Sequence, residues 1–231
     1  MKKILVTTIA VLGFVGYSFG QGEVTFGNGA PATRIWTNNV VNGSQNQLTS
    51  AVVGQGTNTP SAGQIAGLNN GTGHEYTFAL FVASALGAPL NGNVWTDPGW
   101  AFTGAYATNS LVSTGGRLFG QQNADGSVTV PGHLGGTSAS LVVIGWNTSA
   151  GGTTLAEFIS AWNSGGAGLV YGFSSVATKV LGDGSAIPST SLFGTTTGLI
   201  PGFVMSPVPE PTTFALAGLG AAALLIFRRR K

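Results

Sequence analysis

The sequence predicts an all-β fold, a jelly-roll-like β-sandwich carrying one short amphipathic helix, set between two apolar terminal segments. Three observations predict it. The apolar clusters are short and rich in β-branched and aromatic residues, Gly, Asn, Asp and Pro punctuate them, and only one segment has a helical apolar period.

Strands are expected at 23–26, 34–36, 76–83, 100–106, 127–130, 139–146, 169–176 and 179–181. Two runs, 77–83 and 141–145, lack the usual polar alternation and suit central strands of two sheets packed face to face. Asp125-Gly126 and Asp183-Gly184 are turn pairs in which glycine takes a positive φ at little cost. Thr154-Leu155-Ala156-Glu157 fits a capping box, and Leu155, Phe158, Ile159 and Trp162 follow at i, i+3, i+4 and i+7 before Gly165-Gly166. This predicts a helix near 155–163 that closes an open end or edge of the sandwich and buries Phe158 and Trp162. Residues 37–74 contain no aromatic residue and are dominated by Asn, Gly, Ser, Thr and Gln. A structureless loop of that length is uncommon in a compact domain, so weak edge strands are expected inside it. The four prolines between Pro201 and Pro211 predict a linker at 201–207, which leaves an extracytoplasmic β domain over 21–200.

The formal net charge of +2 misdescribes that domain. Six of the nine basic residues lie at the ends: Lys2, Lys3, Arg228, Arg229, Arg230 and Lys231. Between Gln21 and Ser206, three basic residues (Arg34, Arg117, Lys179) face six acidic ones (Glu23, Glu75, Asp97, Asp125, Glu157, Asp183), a net charge of −3. Nucleic acid binding requires several cations to displace counterions from phosphates, and the domain does not supply them. No cysteine is present, so an exported domain of this sequence is held by packing rather than disulfides.

Each end has its own logic. Lys2 and Lys3 precede an apolar run over 4–17, then small Ser18 and Gly20 at the −3 and −1 positions of a cut between Gly20 and Gln21. That is the layout of a signal peptide over 1–20, read by the general secretion machinery. Residues 212–227 carry no charge; as a helix they span roughly 24 Å, a short transmembrane helix for a hydrocarbon core of about 30 Å. Arg228, Arg229, Arg230 and Lys231 stop transfer and favour the cytoplasmic side, so the domain faces outward.

Val208-Pro209-Glu210-Pro211-Thr212, the apolar run and the terminal basic cluster together resemble a PEP-CTERM sorting signal over 208–231. The resemblance implies an exosortase, an integral-membrane transpeptidase that recognises Pro209, Glu210 and Pro211 and cuts near them. It also implies a membrane-anchored precursor on the inner membrane, and delivery of the body to the envelope surface or an exopolysaccharide matrix. Two prolines keep the site extended and outside the membrane helix, because each fixes φ and lacks an amide donor.

Signals for chemistry are weak, and the expectation is a non-enzymatic protein without cofactor or metal. The acidic residues give no local hint of a paired-carboxylate hydrolase, and Asp125 and Asp183 suit turns. His74 has no metal-spaced partner, and His133 sits in a Pro-Gly-His turn. Gly27-Asn28-Gly29-Ala30-Pro31-Ala32 fits GxGxxA only formally, since no helix follows. Trp95 and Trp100 flank the turn Thr96-Asp97-Pro98-Gly99; they are either core residues around a hairpin or a platform for stacking sugars in a displayed carbohydrate-binding module.

Overall fold

The computed structural model describes residues 20–28, 33, 35–38, 50–52, 76–109, 118–208 and 219. The strands are β1 (Gln21–Thr25), β2 (Trp36–Asn38), β3 (Ser50–Val52), β4 (Tyr76–Ala83), β5 (Trp100–Asn109), β6 (Leu118–Gly120), β7 (Ser127–Leu134), β8 (Ser138–Asn147), β9 (Val170–Phe173), β10 (Ala177–Val180), β11 (Thr190–Ser191) and β12 (Val204–Pro207). Two helices, α1 (Thr148–Gly151) and α2 (Leu155–Asn163), sit between β8 and β9. The protein is mostly β, as expected, and its strands form two sheets. The small one runs β11-β1-β7. The large one runs β3-β2-β12-β9-β8-β4-β5-β6, with β10 pairing the first half of β8 where β9 pairs the second.

The two apolar runs do not belong to opposite sheets. They are β4 and β8, antiparallel neighbours in the middle of the large sheet, with Phe78 opposite Gly145 and Leu80 opposite Val143. Phe78, Leu80 and Val82 join Leu141 and Val143 in one core that also holds Val24, Phe26, Val128 and Val130 from the small-sheet side. Ala79, Phe81 and Ala83 join Val142, Ile144 and Trp146 in a second core on the other face, with Phe158 of α2 and Val94 of the loop after β4. A sheet covered on both faces has no polar side, so its central strands read as unbroken apolar runs.

Helix α2 forms where the capping box placed it, but it covers the outer face of the large sheet rather than an end or edge. Thr154 Oγ1 accepts from the Glu157 amide at 3.3 Å, and the Glu157 carboxylate accepts from the Thr153 and Thr154 amides at 2.8 and 3.0 Å. The Leu155 amide, an orphan donor of the first turn, reaches Tyr106 Oη of β5 at 2.8 Å. Phe158 is 0 % exposed and stacks on Trp146 with centroids 4.8 Å apart; Trp162 is only partly buried. Full burial of a side chain such as Phe158 contributes about 1.5–3 kcal/mol.

The expected edge strand within 37–74 is present as β3, which pairs with β2 at the rim of the large sheet. Both turn pairs form: Asp125 Oδ1 accepts from the Ser127 amide at 2.9 Å, Asp183 Oδ1 from the Ser185 and Ile187 amides at 2.8 Å, and Gly126 and Gly184 have φ of +79° and +74°. The Pro-Gly-His turn is an excursion within β7, since Gln21 pairs with Leu134 while the next residue, Gly22, pairs with Val130.

The linker over 201–207 is corrected, and with it the domain boundary at 200. Residues 204–207 are β12, an interior strand of the large sheet. Phe203 and Met205 point inward at 8 % and 0 % exposure, while Val204 and Ser206 point outward. That alternation outweighs the prolines around it: Pro201 precedes the strand and Pro207 closes it opposite Val170, so neither interrupts the ladder between them.

Candidate functional site: the C-terminal junction and the aromatic face

β12 is paired on both edges. It runs parallel to β2, with Val204 opposite Trp36 and Met205 opposite Thr37, and antiparallel to β9, with Ser206 opposite Tyr171 and Pro207 opposite Val170. Phe203 meets Phe78 edge-on at 6.3 Å. Gly172 permits the close approach of β9: a Cβ there would stand 2.4 Å from the Val204 carbonyl oxygen and 2.9 Å from Met205 Cα. Past the strand, the Val208 amide donates to the Leu169 carbonyl at 2.8 Å, and its side chain packs into the second core beside Gly166. The next residue is Pro209. Pro209, Glu210, Pro211 and the basic residues Arg228, Arg229, Arg230 and Lys231 lie outside the described residues, as do the apolar segments 4–17 and 212–227. Among the described residues no helix is long and apolar enough to cross a membrane.

The other junction lies at the opposite end of the domain. Gln21 opens β1 opposite Leu134, and the Gly20 carbonyl accepts from the Gly135 amide at 3.2 Å, at the hairpin where β7 turns into β8. Val208 leaves beside the start of β9, which pairs with the far end of β8. The ten residues of β8 separate the two junctions by roughly 33 Å.

The outer face of the large sheet carries an aromatic cluster. Trp95 meets Phe158, Trp162 and Tyr171 edge-on at 4.9, 5.3 and 6.0 Å, Trp162 meets Tyr171 at 4.9 Å, and Tyr171 lies 6.4 Å from Phe173. Partial burial pushes the Tyr171 phenol above its ordinary value. The two indoles, read from the sequence either as core residues or as a sugar platform, are split. Trp100 is 6 % exposed in the second core, and its Nε1 donates to the Pro89 carbonyl at 3.2 Å, so it presents no open ring face. Trp95 is partly buried, and the outermost ring is Phe173, 48 % exposed. Leu90, Asn93, Trp95, Tyr171 and Phe173 line a cleft of about 10 Å³, room for about one water and far too small to enclose a sugar.

The carboxylates serve local structure. Asp97 Oδ1 accepts from the Gly99 amide at 2.8 Å, Asp125 and Asp183 hold their turns, and Glu157 caps α2. Asp125, Glu157 and Asp183 are all held below their ordinary values, chiefly by the backbone amides of Ser127, Thr153 and Ile187 respectively. No group of three or more potential metal ligands occurs among the described residues. Asn28, in the formal GxGxxA match, is a buried clamp: Nδ2 donates to the Thr33 carbonyl at 2.8 Å and Oδ1 accepts from the Leu118 amide at 2.7 Å.

The site with an assignable role is thus the junction after β12. Residues 207–231 match the PEP-CTERM protein-sorting motif, which begins on the last residue of that strand. The chain is a PEP-CTERM domain-containing protein, an exported protein addressed to the cell envelope. Its sorting partner is an exosortase. No curated protein and no solved structure matches the chain.

Proposed function

We propose that this is a non-enzymatic structural protein of the cell surface or exopolysaccharide matrix. It is held at the inner membrane by residues 212–227 until an exosortase processes it at Pro209, Glu210 and Pro211. In this reading the N-terminal segment is removed between Gly20 and Gln21, and residues 21–208 form the displayed body, two β-sheets packed as a sandwich with α2 on the outer face. The observation that carries it is the placement of the motif: β12 ends at Pro207, Val208 is the last residue packed on the body, and Pro209-Glu210-Pro211 follows directly, so a cut there releases the whole folded body and nothing else. The engagement of Asp97, Asp125, Glu157 and Asp183 by backbone amides supports the absence of catalysis. Mass spectrometry of the protein from its native host tests the proposal. A C-terminus at 209–211 is expected, and a mature chain still ending at Lys231 would refute the processing.

A second reading, a displayed carbohydrate-binding module, is favoured by the exposed rim of the aromatic cluster. Sugars would stack on Phe173 with Tyr171 and Trp162 behind it, rather than on Trp100. Retention on exopolysaccharide that survives Phe173→Ala unchanged counts against this second reading.

A further inference from the structure

We infer that the exosortase meets the folded protein end-on, at the surface formed by the turn over 164–169 and Val208, and takes only the chain from Pro209 onward. This rests on the reading of residues 212–227 as a membrane anchor. Three residues, Pro209, Glu210 and Pro211, separate Val208 from Thr212. The four Cα steps from Val208 to Thr212 reach at most about 14 Å even when fully extended. The end of the domain carrying Val208 is therefore held within that distance of the membrane boundary. An enzyme embedded in the same membrane and acting at 209–211 has to touch it.

The strand cannot easily be lent to the enzyme. Residues 204–207 are bonded to β2 and β9, Met205 is fully buried, and Gly172 is closed over by the Val204 carbonyl. Substrate recognition upstream of Pro209 would need this strand to leave the sheet. The surface around the exit suits close approach instead. Ser164, Ala167 and Gly168 are exposed, small and uncharged, and Gly166 and Leu169 are buried beneath them. The hairpin at 135–137 and the Gly20 junction, by contrast, are directed to the far end, about 33 Å away along β8.

The absence of cysteine makes the test direct, because one introduced thiol is the only one in the chain. Ala167→Cys and Thr137→Cys, both at exposed positions on opposite ends, are each labelled with a short thiol-linked photocrosslinker in the full-length protein, in membranes containing the exosortase. Ala167→Cys should cross-link to the enzyme at least tenfold more than Thr137→Cys. Inserting twelve Gly and Ser residues between Val208 and Pro209, a reach of about 40 Å, should bring the two positions within about twofold while processing continues. Equal labelling without the insertion would overturn the inference. So would a several-fold acceleration of processing by Met205→Ala, which would mean that the enzyme takes the strand. Failure of every variant and of the parent chain to be processed would instead refute the proposed function on which the inference rests.

Discussion

The sharpest consequence of the fold is that the domain does not end at residue 200. Cutting the body there removes Phe203, Met205 and Val208 from two cores and leaves the inner edges of β2 and β9 unpaired. Burial of Phe203 and Met205 is worth about 1.5–3 kcal/mol each. Lost backbone hydrogen bonds add about 1 kcal/mol apiece, the Val208–Leu169 bond among them. The sum approaches a whole domain's typical stability of about 5–15 kcal/mol. A fragment spanning 21–208 should therefore unfold cooperatively in urea, followed by tryptophan fluorescence, whereas one spanning 21–200 should be unfolded or molten without denaturant. A gentler version keeps the chain intact. Met205→Ala should cost about 2–5 kcal/mol, a fall in Tm of about 4–20 °C, while Ser206→Ala on the exposed side should stay within about 0.5 kcal/mol. If the 21–200 fragment unfolds at the same urea midpoint as 21–208, or Met205→Ala behaves like Ser206→Ala, the strand assignment is wrong.

Further outcomes follow from the outer face and the turns. Phe158→Ala should destabilise by about 3–5 kcal/mol in the same urea assay, since the ring is fully enclosed between Trp146 and Trp95. Thr154→Ala removes the capping hydroxyl and should cost about 1 kcal/mol, with loss of helical signal confined to residues near 155–163 in hydrogen exchange. Asp125, Glu157 and Asp183 have folded-state values below their ordinary 3.8, 4.5 and 3.8, so the stabilisation they give is complete above about pH 5 and is lost as pH falls through the depressed values. The urea midpoint should decline from about pH 4.5 downward, and Asp183→Asn should make the decline shallower; an identical slope would remove Asp183 from the account. Trp95→Ala should lower stability measurably, because three rings lean on that indole, whereas Phe173→Ala should stay within about 0.5 kcal/mol.

Much of this is legible in the sequence itself. The bounds of β4 follow from its apolar run, both Asp-Gly turns from their dipeptides, and α2 from its capping box, because each signal is local and each local preference agrees with the fold. What failed was arrangement. An unbroken apolar strand shows that both faces are covered but not by what, so β4 and β8 read equally well as the centres of two sheets. Prolines at 201, 207, 209 and 211 read as a linker because breakers dominate a short window, although the period-two placement of Phe203 and Met205 was present in it. Trp100 invited a functional reading because indoles flanking a turn look alike whether they face solvent or core. The sorting motif was legible in full, since its meaning lies in linear order rather than in folded geometry. The cluster of Trp162, Tyr171 and Phe173 was not, because α2 and β9 bring those rings together only in space.

The two-sided pairing of β12 has a mechanical consequence under the proposed processing, in which the body is held by a new C-terminus. Drag on a surface-bound protein then enters through Val208 and pulls along the strand, not across it. Bonds to β2 and β9 are loaded together in shear, so they share the load and fail together instead of opening one after another. Under the proposed processing, the last element before the cut is the one best placed to carry tension, and the hairpin at 135–137, at the far end, would be the outward tip of the domain.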